Sequence, residues 1–366
     1  MRKLLKMLWL RNRTIFSVLL ASIFSTYLLA TIFDVSLWSK YYHKYTSAEF
    51  KEKYLADPTA IFGEDISYQS FVDSEMAFFN ESAIERVDVA NPFFAVFLLV
   101  MATNIFLWMM DKHDNYDVFL FSLPFKVRQI YWVKVAGFIF TPIATAGLGL
   151  LVFEQFVKLN VLERFNNMST QYSPYTITLQ GLILLFGGLI ILCGFLMFGS
   201  TPWLLVILGG FGFTVLSFVT ACQRILAQLM RLMTDMPNTA INIYVWKWFT
   251  GWPFVWAIAI ICVLLMYAGQ KLFEQLLREA DESFIRHEYL KKPMMIAIPV
   301  YAAIILAGDY FYWERETLVV NIAMLLLILA ILVIILAKLI YNPAVLQYPI
   351  VLNQKSRHKP KDDMTP

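Results

Sequence analysis

The stretch LVVNIAMLLLILAILVIILA at 318–337 leaves a chain few ways to fold, because Asn321 is its only polar side chain. Roughly 20 apolar helical residues cover a bilayer hydrocarbon core of about 30 Å. Near the bilayer centre Leu, Ile and Val each favour insertion by about 0.3 to 0.6 kcal/mol. A helix also satisfies its own backbone hydrogen bonds, the one condition that hydrocarbon imposes on any spanning segment. The rest of the chain follows the same pattern, since 59% of its residues are apolar and only 16% charged, a balance of polytopic membrane proteins rather than soluble domains.

Eight runs of spanning length emerge, at 14–33, 93–110, 135–153, 178–198, 203–221, 252–268, 294–313 and 318–337. The sixth is the shortest and opens on Trp252-Pro253. All are apolar on every side, whereas barrel strands alternate over about ten residues. The expected fold is therefore an all-α polytopic membrane protein with about eight transmembrane helices. With the N-terminus inside, the inner connections hold 19 of the 30 Lys and Arg. This positive-inside bias predicts that both termini are cytoplasmic.

Several segments surround these runs. Arg2, Lys3 and Lys6 resemble the lead-in of a signal peptide, but the following run is too long and no A-x-A-like site follows it, so an uncleaved first helix is expected. On a helical wheel of 1–13, Leu4, Leu5, Leu8 and Trp9 oppose Arg2, Lys3, Lys6 and Arg13. That pattern fits a helix lying at the membrane surface, or an ordinary positive flank. The 34–92 segment, with 11 acidic and 5 basic side chains, forms a small extracytoplasmic cap between the first two spans. Within it, Thr46-Ser47-Ala48-Glu49 signals a helix start, and at this size the cap depends on the spans for its core. The 269–293 loop and the polar 338–366 tail return to the cytoplasm.

Catalytic and metal-binding patterns are missing. Cys193, Cys222 and Cys262 lack C-x-x-C spacing, His43, His113, His287 and His358 are scattered, and no phosphate loop or dinucleotide fingerprint occurs. Intramembrane charge is costly and usually functional, which singles out Glu154 and Asp309 as outer interfacial residues reaching water or as lining residues of an outward path. Asn104, Gln180 and Asn321 suit interhelical hydrogen bonds. Gly187, Gly188, Gly194, Gly209, Gly210 and Gly212 suit close helix packing.

One charged interruption stands out. At 111–134 the chain reads DKHDNYDVFLFSLPFKVRQIYWVK, where Pro124 separates two short helices and basic side chains surround Phe119, Leu120, Leu123 and Phe125. An apolar cytosolic stub of this kind calls for a partner. The segment resembles the connection between the second and third spans of type-2 ABC transporter permeases, carried here by Leu120, Ser122, Leu123, Pro124, Phe125, Arg128, Gln129, Ile130 and Lys134. The surface-lying N-terminus, a semi-apolar 222–251 segment like that family's outer re-entrant hairpin, and LFEQLLREADESFI at 272–285 follow in the family's order. The chain departs from the six-span family core in its extra span pair, its cap, and Asp114-Asn115-Tyr116 where the family often has an acidic residue and Gly-Thr.

The resemblance implies a permease subunit of an ATP-driven exporter, in the plasma membrane of a bacterium, with no catalytic residue of its own. It implies a coupling segment in which Phe119, Leu120, Ser122, Leu123, Pro124, Phe125, Lys126 and Arg128 touch a cytosolic ATPase. Leu272, Phe273, Arg278 and Glu279 form a second cytoplasmic contact. ATP and Mg²⁺ are then held by the ATPase, and the further partners are a second permease copy or paralogue and the lipid bilayer, not nucleic acid. Two other classes stay open: a membrane enzyme acting on a lipid-linked substrate, and a sensor or immunity protein whose cap binds an external peptide.

Overall fold

A 44-residue helix, α1 (Arg2–Tyr45), begins the chain. No Gly or Pro interrupts it, so the positive lead-in and the first apolar run form one continuous element. The computed structural model describes residues 2–57, 66–76, 92–165, 174–198, 201–233, 241–242, 245, 247, 251–276, 285, 288–309 and 318–341. The helices that follow are α2 (Ala48–Ala56), α3 (Tyr68–Glu75), α4 (Pro92–His113), α5 (Tyr116–Ser122), α6 (Val127–Val135), α7 (Thr141–Asn160), α8 (Pro174–Met197), α9 (Thr201–Met233), α10 (Trp252–Gln275), α11 (Glu288–Asp309) and α12 (Leu318–Tyr341). Among the described residues there is no strand, only an isolated bridge between Phe198 and Ile285.

Six of these helices are long and apolar enough to cross a membrane: Arg2–Tyr45, Pro92–His113, Val127–Asn160, Ile177–Met197, Trp252–Gln275 and Tyr289–Gly308. A seventh arises if α9 counts as one span, since Leu204–Val215 and Ser217–Gln228 meet at 43°. The last run contains a shorter apolar helix, Ile322–Lys338. At 222–251, where a re-entrant segment was expected, α9 continues as far as Met233.

The third span contains a widened turn. Ala136–Phe140 is π-helical, and Pro142, just beyond it, supplies the cause. Its ring cannot donate a hydrogen bond and would collide with the carbonyl four residues back; inserting one extra residue into the turn relieves both problems. The Ala136 carbonyl accepts both the Thr141 N–H, in the wide turn's own bond, and the Thr141 hydroxyl at 3.0 Å.

The chain divides into two compact units. In the first, residues 1–191 and 255–270, α1 packs along α7 and, over a shorter length, along α4. The α1 stripe Leu4, Leu8, Phe16, Leu19, Ile23 and Tyr27 is buried at the spacing expected of one helix face. Leu4 and Leu8 thus face protein, while Leu5 and Trp9 of the same expected face stay exposed. The core continues without a break into the cap, where Tyr54, Phe71, Val72 and Met76 join Trp38, Val157 and Phe165. Ser47 caps α2 by accepting from the Phe50 N–H (3.2 Å), and Ser67 does the same for α3 through Ser70.

In the second unit, residues 192–254 and 271–366, α9 packs on α11 and α11 on α12. The α9–α11 approach is close, because a Cβ at Gly308 would lie 2.3 Å from the Ala221 Cα. Thr214 and Tyr301 share a hydrogen bond of 2.9 Å there. Of the glycines expected at helix contacts, Gly187, Gly188 and Gly194 meet Met101, Ile139 and Leu204, whereas nothing faces Gly209, Gly210 or Gly212. Asn104 is buried, yet its amide bonds to Val100 of its own helix (3.0 Å), not to a neighbouring helix.

Candidate functional site

The 111–134 segment forms a helical hairpin extension of α4 and α7. Asn115 turns the chain from α4 into α5 by adopting φ 50° and ψ 34°, a left-handed conformation that Asn tolerates better than most residues. The Ser122 hydroxyl donates to the Phe119 carbonyl (2.7 Å) at the end of α5. Leu123 is extended at ψ 154°, as the residue before a proline is biased to be. α6 then starts at Val127, with the Gln129 side chain accepting from the Lys126 N–H (3.3 Å).

This geometry sorts the expected contact residues. Phe119 is 48% exposed, while Leu120 is only 2% exposed and belongs to the core. Leu120 therefore holds α5 in place rather than offering a surface, because its position on the helix turns it inward. Leu123 and Phe125 are half-buried, and Ser122, Pro124, Lys126 and Arg128 are exposed. On its inner side α6 is fastened to α10, where the Tyr131 hydroxyl donates to the Met266 carbonyl (2.8 Å) and the Trp132 indole to Gln270 (3.2 Å).

Beneath the segment lies a buried ion network that joins four helices. The Lys134 ammonium of α6 is 2.6 Å from Asp111 of α4 and also bonds Asp117 of α5. Arg11 of α1 reaches Asp111 and Asp114, each at 2.8 Å, and its guanidinium lies 3.6 Å over the Tyr116 ring. The Trp108 ring sits 4.7 Å from the same ammonium. Lys134 and Asp111 are almost wholly removed from solvent, which only close pairing makes tolerable. At the rim, hydrogen bonds from His113 and Arg11 hold the Asp114 carboxyl below the ordinary carboxylate range, despite some desolvation. Burial raises the Tyr116 hydroxyl above its usual range.

Sequence reasoning reached the hairpin but missed the network, whose partners lie up to 103 positions apart. A signal was present: Asp111 follows immediately after an apolar run, and Lys134 immediately precedes one. The remaining candidates do not converge with it. Glu154 pairs with Lys158 one turn along α7, an interfacial ion pair of local reach. Leu272 and Phe273 are buried, so the expected second contact does not present them outward; Lys271 and Glu274 pair at 3.4 Å beside them. Arg278, Glu279 and the Asp309 side chain lie outside the described residues. Among the described residues no three His, Cys, Asp or Glu side chains come together as a metal site needs. Comparisons with protein-family models, curated proteins and solved structures returned no match.

Proposed function

We propose that this chain is the transmembrane subunit of an ATP-driven exporter of the type-2 ABC permease kind. In this reading it crosses a bacterial plasma membrane eight times, pairs with a second permease copy or paralogue, and contributes no catalytic group. A separate ATPase binds ATP and Mg²⁺ and docks on the α5–α6 hairpin. The observation that carries the proposal is the way this hairpin is mounted: Phe119 faces outward while buried ion pairs fix the inner side to α1 and α4. An apolar patch held this firmly can take up a partner's movement and pass it to the spans; the same patch on a loose loop would absorb it.

Orientation draws support from the same place. Arg11 touches Asp111 and Asp114, which fits a common side for the N-terminal end and the hairpin, and the Lys and Arg bias names that side as the cytoplasm. The test is co-expression with a candidate P-loop ATPase, sought first among the genes beside this one, followed by pull-down and ATPase assay. Phe119→Asp, and separately Leu123→Asp with Phe125→Asp, are expected to abolish complex formation while the permease itself still accumulates in the membrane. Unchanged binding and turnover in both variants would overturn the docking assignment.

A further inference from the structure

Outside the hairpin, α1 and the π-helical turn enclose an open cleft of about 330 Å³ whose two ends differ in chemistry. Arg2 and Lys6 line one end, four positions apart on α1. Both are exposed, and among the described residues neither is paired with a carboxylate, unlike Arg11 one turn beyond Met7. The body is apolar, walled by Leu5 and by Trp9 stacked on Phe16 at a ring separation of 5.6 Å. Its floor is Gly137, where a Cβ would come within 2.8 Å of Leu8. Thr141 closes the far end, but its hydroxyl is already committed to the Ala136 carbonyl, so that end offers a ligand no free donor.

A groove with unpaired cations at one end and hydrocarbon along the rest complements one class of molecule. From Arg2 to Phe16 the helix axis advances roughly 21 Å, enough to seat a headgroup and one acyl chain end to end. Exposed Leu5 and Trp9 would sit poorly in water, and Trp is favoured at the headgroup level. We infer that this cleft binds one anionic phospholipid, its phosphate between Arg2 and Lys6 and an acyl chain along Leu5, Trp9 and Phe16 toward Thr141. The site is independent of the ATPase-docking reading and requires only that the chain lies in a membrane. The lipid fills the space beside the wide turn and holds the first residues of α1 against it.

Native mass spectrometry of the full chain, titrated with phosphatidylglycerol and with phosphatidylcholine, reads the site directly. Phosphatidylglycerol should bind about 30-fold more tightly, the scale that two interfacial cations supply. Arg2→Gln with Lys6→Gln should erase that preference, whereas Lys3→Gln with Arg13→Gln, equally exposed cations that do not line the cleft, should keep it. Thr141→Phe, which fills the apolar end, should weaken phosphatidylglycerol binding at least as much; Leu5→Glu, at an exposed position beside Lys6, serves the same purpose without touching the core. The inference is overturned if the Arg2 and Lys6 variant keeps its preference, if the control pair loses it equally, or if glycerol phosphate competes as well as the intact lipid.

Discussion

Replacing Lys134 with Met removes the cation that Asp111 and Asp117 share and leaves Asp111 with Arg11 alone; breaking a buried ion pair typically costs about 3 to 5 kcal/mol. Lys134→Met is therefore expected to lower the unfolding temperature of the detergent-solubilised protein sharply, and Asp111→Asn to do so to a similar degree. Combining the two should recover part of the loss, because the buried Lys134–Asp111 pair is then removed whole, Arg11 keeps Asp114, and only the part-exposed Asp117 is left without Lys134. A double variant as unstable as the sum of the singles would show that the two groups act separately. At this scale the sequence displayed the outer face of the hairpin but not what lies beneath it. Phe119, Leu123 and Pro124 stand out locally, by hydropathy and turn chemistry. The pairing of Arg11 with Asp111 requires two helices to lie side by side, which no local pattern encodes. The burial of Leu120 next to an exposed Phe119 likewise follows from helical phase, which a seven-residue helix reveals poorly in its sequence.

Helix against helix, the decisive contact is α1 on α7. A Cβ at Gly149 would fall 2.4 Å from the Tyr27 ring, while one at Gly147 would meet nothing within 4 Å. Gly149→Ala should accordingly destabilise the protein, by about 1 to 3 kcal/mol as overpacking generally does. Gly147→Ala should be neutral or stabilising by up to about 1 kcal/mol, since Ala is the better helix former. Thermal unfolding of the two variants side by side checks this, and equal behaviour would mean that the α1–α7 interface lies elsewhere. The helices themselves were legible as apolar runs because hydrocarbon permits so few alternatives. Their ends were not, since α1 extends well beyond 14–33 on both sides where the composition turns polar. The π-helical turn had a readable cause in Pro142, but its consequence, a groove next to α1, depends on what packs there.

For the molecule as a whole, the proposed topology sets the hairpin and the cap on opposite faces of the membrane. Cysteines placed at the exposed Ser122 and Ser74, in a Cys222→Ser background, test this in intact cells. An impermeant maleimide should label the Ser74→Cys protein at once and the Ser122→Cys protein only after lysis. Labelling of both from outside would refute the orientation. The sequence pointed to an acidic cap that leans on the spans, and its aromatic residues do share their core with α1 and α7. Tyr45, the last residue of α1, sits 5.4 Å from Phe71 and accepts a hydrogen bond from Tyr68 at 2.6 Å. The same helix carries Arg11 near its other end. Forty-four residues make it roughly 66 Å long, more than twice the hydrocarbon thickness. With a pivot midway along its length, rocking α1 by about 5° would carry each end through roughly 3 Å, in opposite directions, given a rise of about 1.5 Å per residue.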